Sequence, residues 1–304
     1  MKKALTIFFL LLSLLAFKNI AYAQQEIYKC AVFNKAGDYE KAIEFGKLAV
    51  KKYPTSSDVY YCLGFAYLNL GELKLAYENM KKAESLANNE KALMYIYSHI
   101  GIILDRMGYP NDALLYYSRS LSLAKGLGNT DMQGFILNNI AGIHKDKGEL
   151  DKALSYYEES LSLTTSEKDK AVIYGNIANI YYEKDDYQKA VKYLQKAIEI
   201  AEKYGDYHGT SMYKLNLGAT YRKIKDYENA EKYLSEGLQD VIKIGDKYWI
   251  AMGCRYSGWL LKDKGGKKEA KECFTRAYNL FKSIGAKREA DDVLNDMKEL
   301  DKLK

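Results

Sequence analysis

Asn176 and Asn179 stand in the run NIANIYYEKDDYQKA, residues 176–190, whose pattern predicts the end of one helix, a tight turn and the start of another. Asparagine costs a helix interior roughly half a kcal/mol relative to alanine, so two of them need a reason. An amide side chain offers a donor and an acceptor together, and its chemistry is recognition of other hydrogen-bonding groups rather than catalysis. Residues suited to catalysis do not converge. His99 and His144 fall on the first helices of adjacent units and His208 near a turn, which suits packing or surface roles better than metal binding. The sequence holds no HExxH, no glycine-rich phosphate loop and no nucleophile elbow. Carboxylates alternate with lysines, so no acid–base pair stands out. We therefore expect no catalytic residue, no metal ligand and no cofactor.

The elements that position the asparagines repeat. The segments GDYEKAIEFGKLAV, GELKLAYENMKKAE, GYPNDALLYYSRSL, GELDKALSYYEESL, DDYQKAVKYLQKAI, KDYENAEKYLSEGL and GGKKEAKECFTRAY share one alanine: Ala42, Ala76, Ala113, Ala153, Ala190, Ala230 and Ala270. Twelve residues earlier comes a small residue (Cys30, Gly64, Gly101, Ala141, Ala178, Gly218, Gly258), and nine earlier a larger one (Phe33, Tyr67, Leu104, His144, Tyr181, Tyr221, Leu261). Four residues after the alanine a large side chain recurs, with Gly46 the exception, and seven after it a small one. Small residues at facing positions let two antiparallel helices approach, and large ones fill the space beside them. Each unit is therefore a helical hairpin.

This spacing resembles the tetratricopeptide repeat over residues 24–285, in seven agreeing copies. The early tryptophan of the family is replaced by Tyr60, Tyr97, Leu137, Tyr174 or Lys214, and a proline ends only the first unit, at Pro54. The later units exceed 34 residues and resemble a longer subclass in which LGN (127–129), YGD (204–206) and IGD (244–246) separate repeats. Glycine there can end one helix while Asp or Asn caps the next. The resemblance implies an all-α, right-handed α-solenoid of about seven hairpins, followed by a C-terminal capping helix over 286–304. That helix carries Ala290, Val293, Leu294, Met297 and Leu300 on one face and charge on the other.

The resemblance also implies a ligand surface, the concave groove lined by the first helix of each hairpin. With the shared alanine numbered 20, positions 2, 5, 6, 9, 12 and 13 fall opposite the packing face. Asn176 lies at position 6 and Asn179 at position 9. Position 6 is also asparagine in Asn139 and Asn216, with Asn138 beside the first, which is similar to the asparagine ladder of family members that hold extended peptides, such as kinesin light chains and the peptide-sensing regulators of Gram-positive bacteria. The same amides can instead bond across neighbouring helices and set the pitch. Tyr182, Arg222, Arg255, Tyr256 and Trp259 flank the ladder with types common at interface anchors. Ile27 and Ala31 stand where the family's chaperone-tail clamp needs polar residues, so that specificity is not expected. Asp105, Asp146, Glu183 and Asp263 alternate with Arg106, Lys145, Arg222, Lys223 and Lys262, which makes the groove mixed in sign.

Residues 1–23 combine Lys2 and Lys3, an apolar run from Ala4 to Phe17, and Ala21-Tyr22-Ala23, the pattern of a secretory signal cut after Ala23. Its removal lowers the formal charge from +6 to +3, with no basic block left to favour nucleic acid. No later stretch has the length and hydropathy of a membrane span, so a periplasmic or secreted chain without stable membrane insertion is expected. In that setting Cys254–Cys273 or Cys30–Cys62 can form a disulfide, or all four can be small residues at crowded helix contacts. The expected function is a non-enzymatic scaffold that binds a protein or extended peptide in its groove. The alternative is an extracytoplasmic sensory or regulatory module, and self-association stays open.

Overall fold

A computed structural model describes residues 25–302. The expected signal segment lies outside the described residues. Among those described there are fifteen helices and no strand. In order they are α1 (Gln25–Ala36), α2 (Tyr39–Lys52), α3 (Ser57–Asn69), α4 (Leu73–Leu86), α5 (Glu90–Arg106), α6 (Pro110–Gly126), α7 (Thr130–Asp146) and α8 (Leu150–Leu163). They continue with α9 (Glu167–Glu183), α10 (Tyr187–Lys203), α11 (Tyr207–Lys223), α12 (Tyr227–Ile244), α13 (Lys247–Asp263), α14 (Lys267–Ser283) and α15 (Lys287–Lys302). Two compact units divide between Ile143 and His144, within α7. In the first, α1 packs on α2, α3 on α4 and α5 on α6; in the second, α9 packs on α10, α11 on α12, α13 on α14, and α15 on α14. This is an all-α helical-repeat solenoid architecture.

The turns between hairpins follow the sequence device. Gly205 and Gly245 take φ of +67° and +82°, where a Cβ is costly. Asp206 then accepts from the Gly209 amide at 2.9 Å and Asp246 from the Trp249 amide at 3.1 Å, closing the first turns of α11 and α13.

Within hairpins the small and large positions meet sixteen residues apart. A Cβ on Gly101 would lie 2.5 Å from the Tyr117 ring, and one on Gly258 2.6 Å from the Phe274 ring. Tyr117 and Phe274 are fully buried. The first hairpin inverts the pattern: Cys30 holds the small place and Gly46 the large one, and a Cβ on Gly46 would lie 2.5 Å from Leu63 and 3.4 Å from Cys30 Sγ. The room is used by a disulfide between Cys30 on α1 and Cys62 on α3, with Cα atoms 6.3 Å apart. Buried Asn34 donates to the Cys62 carbonyl at 2.9 Å beside it. Cys254 and Cys273 are free thiols, so the pairing expected as an alternative between them does not form.

A second pattern pairs rings twelve residues apart. Phe33 stacks on Phe45, His144 on Tyr156, Tyr181 on Tyr193 and Tyr221 on Tyr233, with centroids 5.3–5.6 Å apart. His144 thus occupies an aromatic packing place, with Nδ1 2.7 Å from Glu149 Oε2. Helix α15 buries Ala290, Val293 and Leu300, as expected, whereas Leu294 is exposed.

Candidate functional site

Helices α9, α11 and α13 lie side by side in the second unit, and each exposes the face opposite its packing residues. Their positions 2, 5, 6, 9 and 12 surround a cavity of about 230 Å³, whose lining includes Asn179, Tyr182, Asn216, Arg255, Tyr256 and Trp259. The walls between are Ala178, Ala219, Thr220, Leu194 and Met252. Helical periodicity explains the set: Met252, Arg255, Tyr256 and Trp259 recur at 3, 1 and 3 residues on α13, one stripe of its surface.

The polar lining is partly spent on itself. Tyr256 Oη donates to Asn216 Oδ1 at 3.4 Å, joining α13 to α11. Thr220 Oγ1 donates to the Asn216 carbonyl at 2.7 Å. Arg222 Nη1 meets Asp263 Oδ2 at 2.6 Å, and Arg255 Nε meets Asp296 Oδ2 at 2.7 Å with Asp292 Oδ2 3.6 Å from its Nη1. Both guanidiniums lie over the Trp259 ring, at 5.3 and 4.7 Å from its centroid. Each is worth on the order of 1 kcal/mol as a cation–π contact at such a half-buried site. Burial pushes the Tyr182 phenol up despite the nearby Arg222, and burial pushes Tyr256 up further, so both hydroxyls stay protonated at neutral pH.

The sequence-derived residues distribute unequally. Asn179, Tyr182, Asn216, Arg255, Tyr256 and Trp259 line the cavity together, and Arg222 stands beside it over Trp259. Asn176 is half-buried and already engaged, and does not line the cavity. Asn138 and Asn139 belong to the first unit; Asn138 is engaged, and Asn139 Nδ2 donates to the Phe135 carbonyl at 2.9 Å. In the second unit the amides at the cavity are therefore Asn179 and Asn216, one at position 9 and one at position 6, rather than two at position 6.

The first unit carries a feature that sequence reasoning missed. Ser57, Asp58, Tyr61, Ala92, Tyr95 and Ile96 line a cavity of about 290 Å³ between α3 and α5. Behind it His99 contacts the Tyr61 and Phe65 rings edge-on and bonds the Tyr95 carbonyl through Nδ1 at 2.8 Å. A carbonyl only accepts, so Nδ1 carries the proton. The signal was available in the spacing of Tyr61, Phe65, Tyr95 and His99 on two first helices. Among the described residues no group of three or more His, Cys, Asp and Glu is placed to hold a metal ion.

The family profile for the tetratricopeptide repeat matches residues 46–78, and residues 132–203 and 169–243. A TPR repeat-containing protein of Methanocaldococcus jannaschii is 27% identical over 155 residues, which cover 51% of this chain and 24% of that protein. This is a tetratricopeptide-repeat protein. The tetratricopeptide-repeat chain is also 30% identical over 144 residues to response regulator aspartate phosphatase A of Bacillus subtilis, covering 46% of this chain and 35% of that protein. Its matched stretches thus span about a quarter and about a third of these two relatives. Its fold is similar to that of the Rap conjugation gene regulator of plasmid pLS20 in complex with the Phr* peptide, with a TM-score of 0.65 and 20% identity over 87% of this chain and 75% of that one.

Proposed function

We propose that this tetratricopeptide-repeat protein is a non-enzymatic scaffold that binds an extended peptide segment along α9, α11 and α13. The observation that carries the reading is the convergence of Asn179, Asn216, Tyr182, Arg255, Tyr256 and Trp259 from three helices on one cavity. Amides and phenols there can pair with a peptide backbone, and the aromatic rings can cover a side chain. The cavity's volume suits one residue of a longer ligand, since sites for whole drug-sized molecules start near roughly 300 Å³.

We further propose that the chain works outside the cytoplasm. The signal-like pattern of residues 1–23 supports this, and so does the Cys30–Cys62 bond, because disulfides persist in oxidising compartments. Affinity capture from an envelope extract tests both statements, comparing the protein with an Asn179→Ala, Asn216→Ala variant that melts at the same temperature. Partners lost only from the variant support the groove, and identical partner sets reject it. Recovery of the chain from cytoplasmic fractions with Lys2 and Lys3 retained rejects export.

A regulatory reading is favoured by one observation, the 144-residue likeness to a protein named a response regulator phosphatase. Under it, bound peptide changes the affinity of the chain for a second protein, which a three-component binding assay reads directly.

A further inference from the structure

The first unit holds a cavity that the peptide-groove reading does not use. About 290 Å³ in volume, it lies between α3 and α5 and is lined by Ser57, Asp58, Tyr61, Ala92, Tyr95 and Ile96. Two phenol rings, a methyl group and a branched aliphatic chain make most of that wall carbon. Asp58 is the one carboxylate in it, and no lysine, arginine or histidine lines it. Asp58 sits exposed in the first turn of α3, where the helix dipole favours a negative charge without occupying its oxygens. Its carboxylate makes no ion pair or hydrogen bond with a described residue. The other polar groups bring no compensating charge. Ser57 Oγ donates to the Ala83 carbonyl at 2.9 Å. Burial pushes the Tyr61 phenol up, and burial holds His99, whose Nδ1 lies 3.4 Å from Tyr61 Oη, neutral behind it. The cavity therefore combines aromatic walls with one unmatched negative charge.

A matching ligand is a cation that prefers aromatic and apolar surroundings to water. Ring faces attract cations within about 6 Å of their centroids, and a carboxylate adds direct charge pairing. A primary ammonium carries three N–H donors, each costly to bury without an acceptor, whereas a quaternary ammonium carries none and presents methyl groups instead. The wall offers few acceptors and much carbon, which selects the second. We propose that the cavity is a site for a small N-methylated ammonium cation, with Tyr61 and Tyr95 packing on its methyl groups and Asp58 pairing its charge. Its volume stands near the lower bound of roughly 300 Å³ for pockets that take whole small molecules. His99 contacts Tyr61 edge-on from α5, with centroids 5.3 Å apart, so that ring is held in place before a ligand arrives. The site needs nothing from Asn179, Asn216 or the second unit, and it stands or falls apart from peptide binding.

Isothermal titration calorimetry of the purified full chain tests this with three probes: choline, ethanolamine, and the neutral choline analogue in which carbon replaces the quaternary nitrogen. Choline should bind at one saturable site, and the neutral analogue and ethanolamine each at least ten-fold more weakly. Asp58→Asn, which breaks no bond in the protein, should weaken choline at least ten-fold. Tyr95→Leu should do the same, while Tyr95→Phe, which keeps the ring, retains most of the affinity. Should Tyr95→Leu lower the melting temperature, Asp58→Asn and the neutral analogue decide between them. The Asn179→Ala, Asn216→Ala variant should bind choline as the unaltered chain does, and loss there would move the choline to the second unit and overturn the proposal. Equal binding of the neutral analogue would make the cavity a purely apolar one, and ethanolamine binding as tightly as choline would make it a site for N–H donors; either result overturns the proposal. So does choline binding indifferent to Asp58→Asn, or the absence of saturable choline binding.

Discussion

Arg222 and Asp263 meet at 2.6 Å although they lie 41 residues apart, because α11 and α13 present equivalent faces one hairpin apart. Arg255 and Asp296 repeat the relationship between α13 and α15 at the same separation. The two pairs tie successive first helices together along the edge of the cavity. Both guanidiniums are mostly buried, at 13% and 14% side-chain exposure, so the pairs are worth more than surface ion pairs. Asp263→Asn removes the charge that compensates Arg222, whose Nε already lacks a partner. Loss of stability of about 1–3 kcal/mol is expected. Urea unfolding followed by tryptophan emission measures it, and a loss under about 0.3 kcal/mol would show the pair to be idle, as many exposed pairs are.

Gly258 faces Phe274 across the α13–α14 contact, and a methyl group there would sit 2.6 Å from the ring. Gly258→Ala should cost about 1–3 kcal/mol by overpacking. Phe274→Leu in the same chain should recover part of that cost, because the smaller side chain gives the methyl room. A double-mutant cycle decides: coupling above about 0.5 kcal/mol supports direct collision, and simple additivity refutes it.

These two contacts differ in how far the sequence announces them. The glycine–aromatic pairs were legible as cases of a small–large spacing of sixteen that lies within one hairpin and recurs in every unit but the first, so the copies vote for one another. Gly46 stood out as an exception, but its reason, the neighbouring Cys30–Cys62 bond and Leu63, comes from the next hairpin. Ion pairs such as Arg222–Asp263 depend on how one hairpin stacks on the next, and turn lengths that vary from unit to unit hide that register. The asparagine row shows the same limit. Position arithmetic put Asn176 and Asn216 on one face, but inter-repeat rotation brings Asn179 to the cavity with Asn216. The ring pairs spaced by twelve occur in four hairpins and not in the other three, so fewer copies announce them.

His99 gives the first unit a pH dependence. Burial is the larger influence and disfavours the imidazolium, the Tyr95 carbonyl bond opposing it, so the folded ring titrates below its usual range. The unfolded chain then binds the proton first as pH falls. Stability from this group is complete above the unfolded value near about 6.5 and is lost as pH falls through the folded value. Far-UV circular dichroism melts at pH 7.5 and 5 should show a larger drop for the protein than for His99→Phe. An equal drop in both would assign the acid sensitivity elsewhere.

The disulfide offers a test in which the two units report separately. Cys30 and Cys62 close a loop 32 residues long in sequence, and removing such a cross-link costs about 3–4 kcal/mol by the chain-entropy relation. Helical repeats transmit stability mainly to their neighbours, so the loss should concentrate in the first unit. Both tryptophans, Trp249 and Trp259, lie in the second unit. Under dithiothreitol, or in a Cys30→Ala, Cys62→Ala variant, circular dichroism should therefore show an earlier transition. Tryptophan emission should keep its original midpoint. Free Cys254 and Cys273 supply the control, since neither is cross-linked and reduction leaves them unchanged. Coincident shifts of both signals would mean that the chain unfolds as one cooperative block, and that the bond at one end stabilises the cavity at the other.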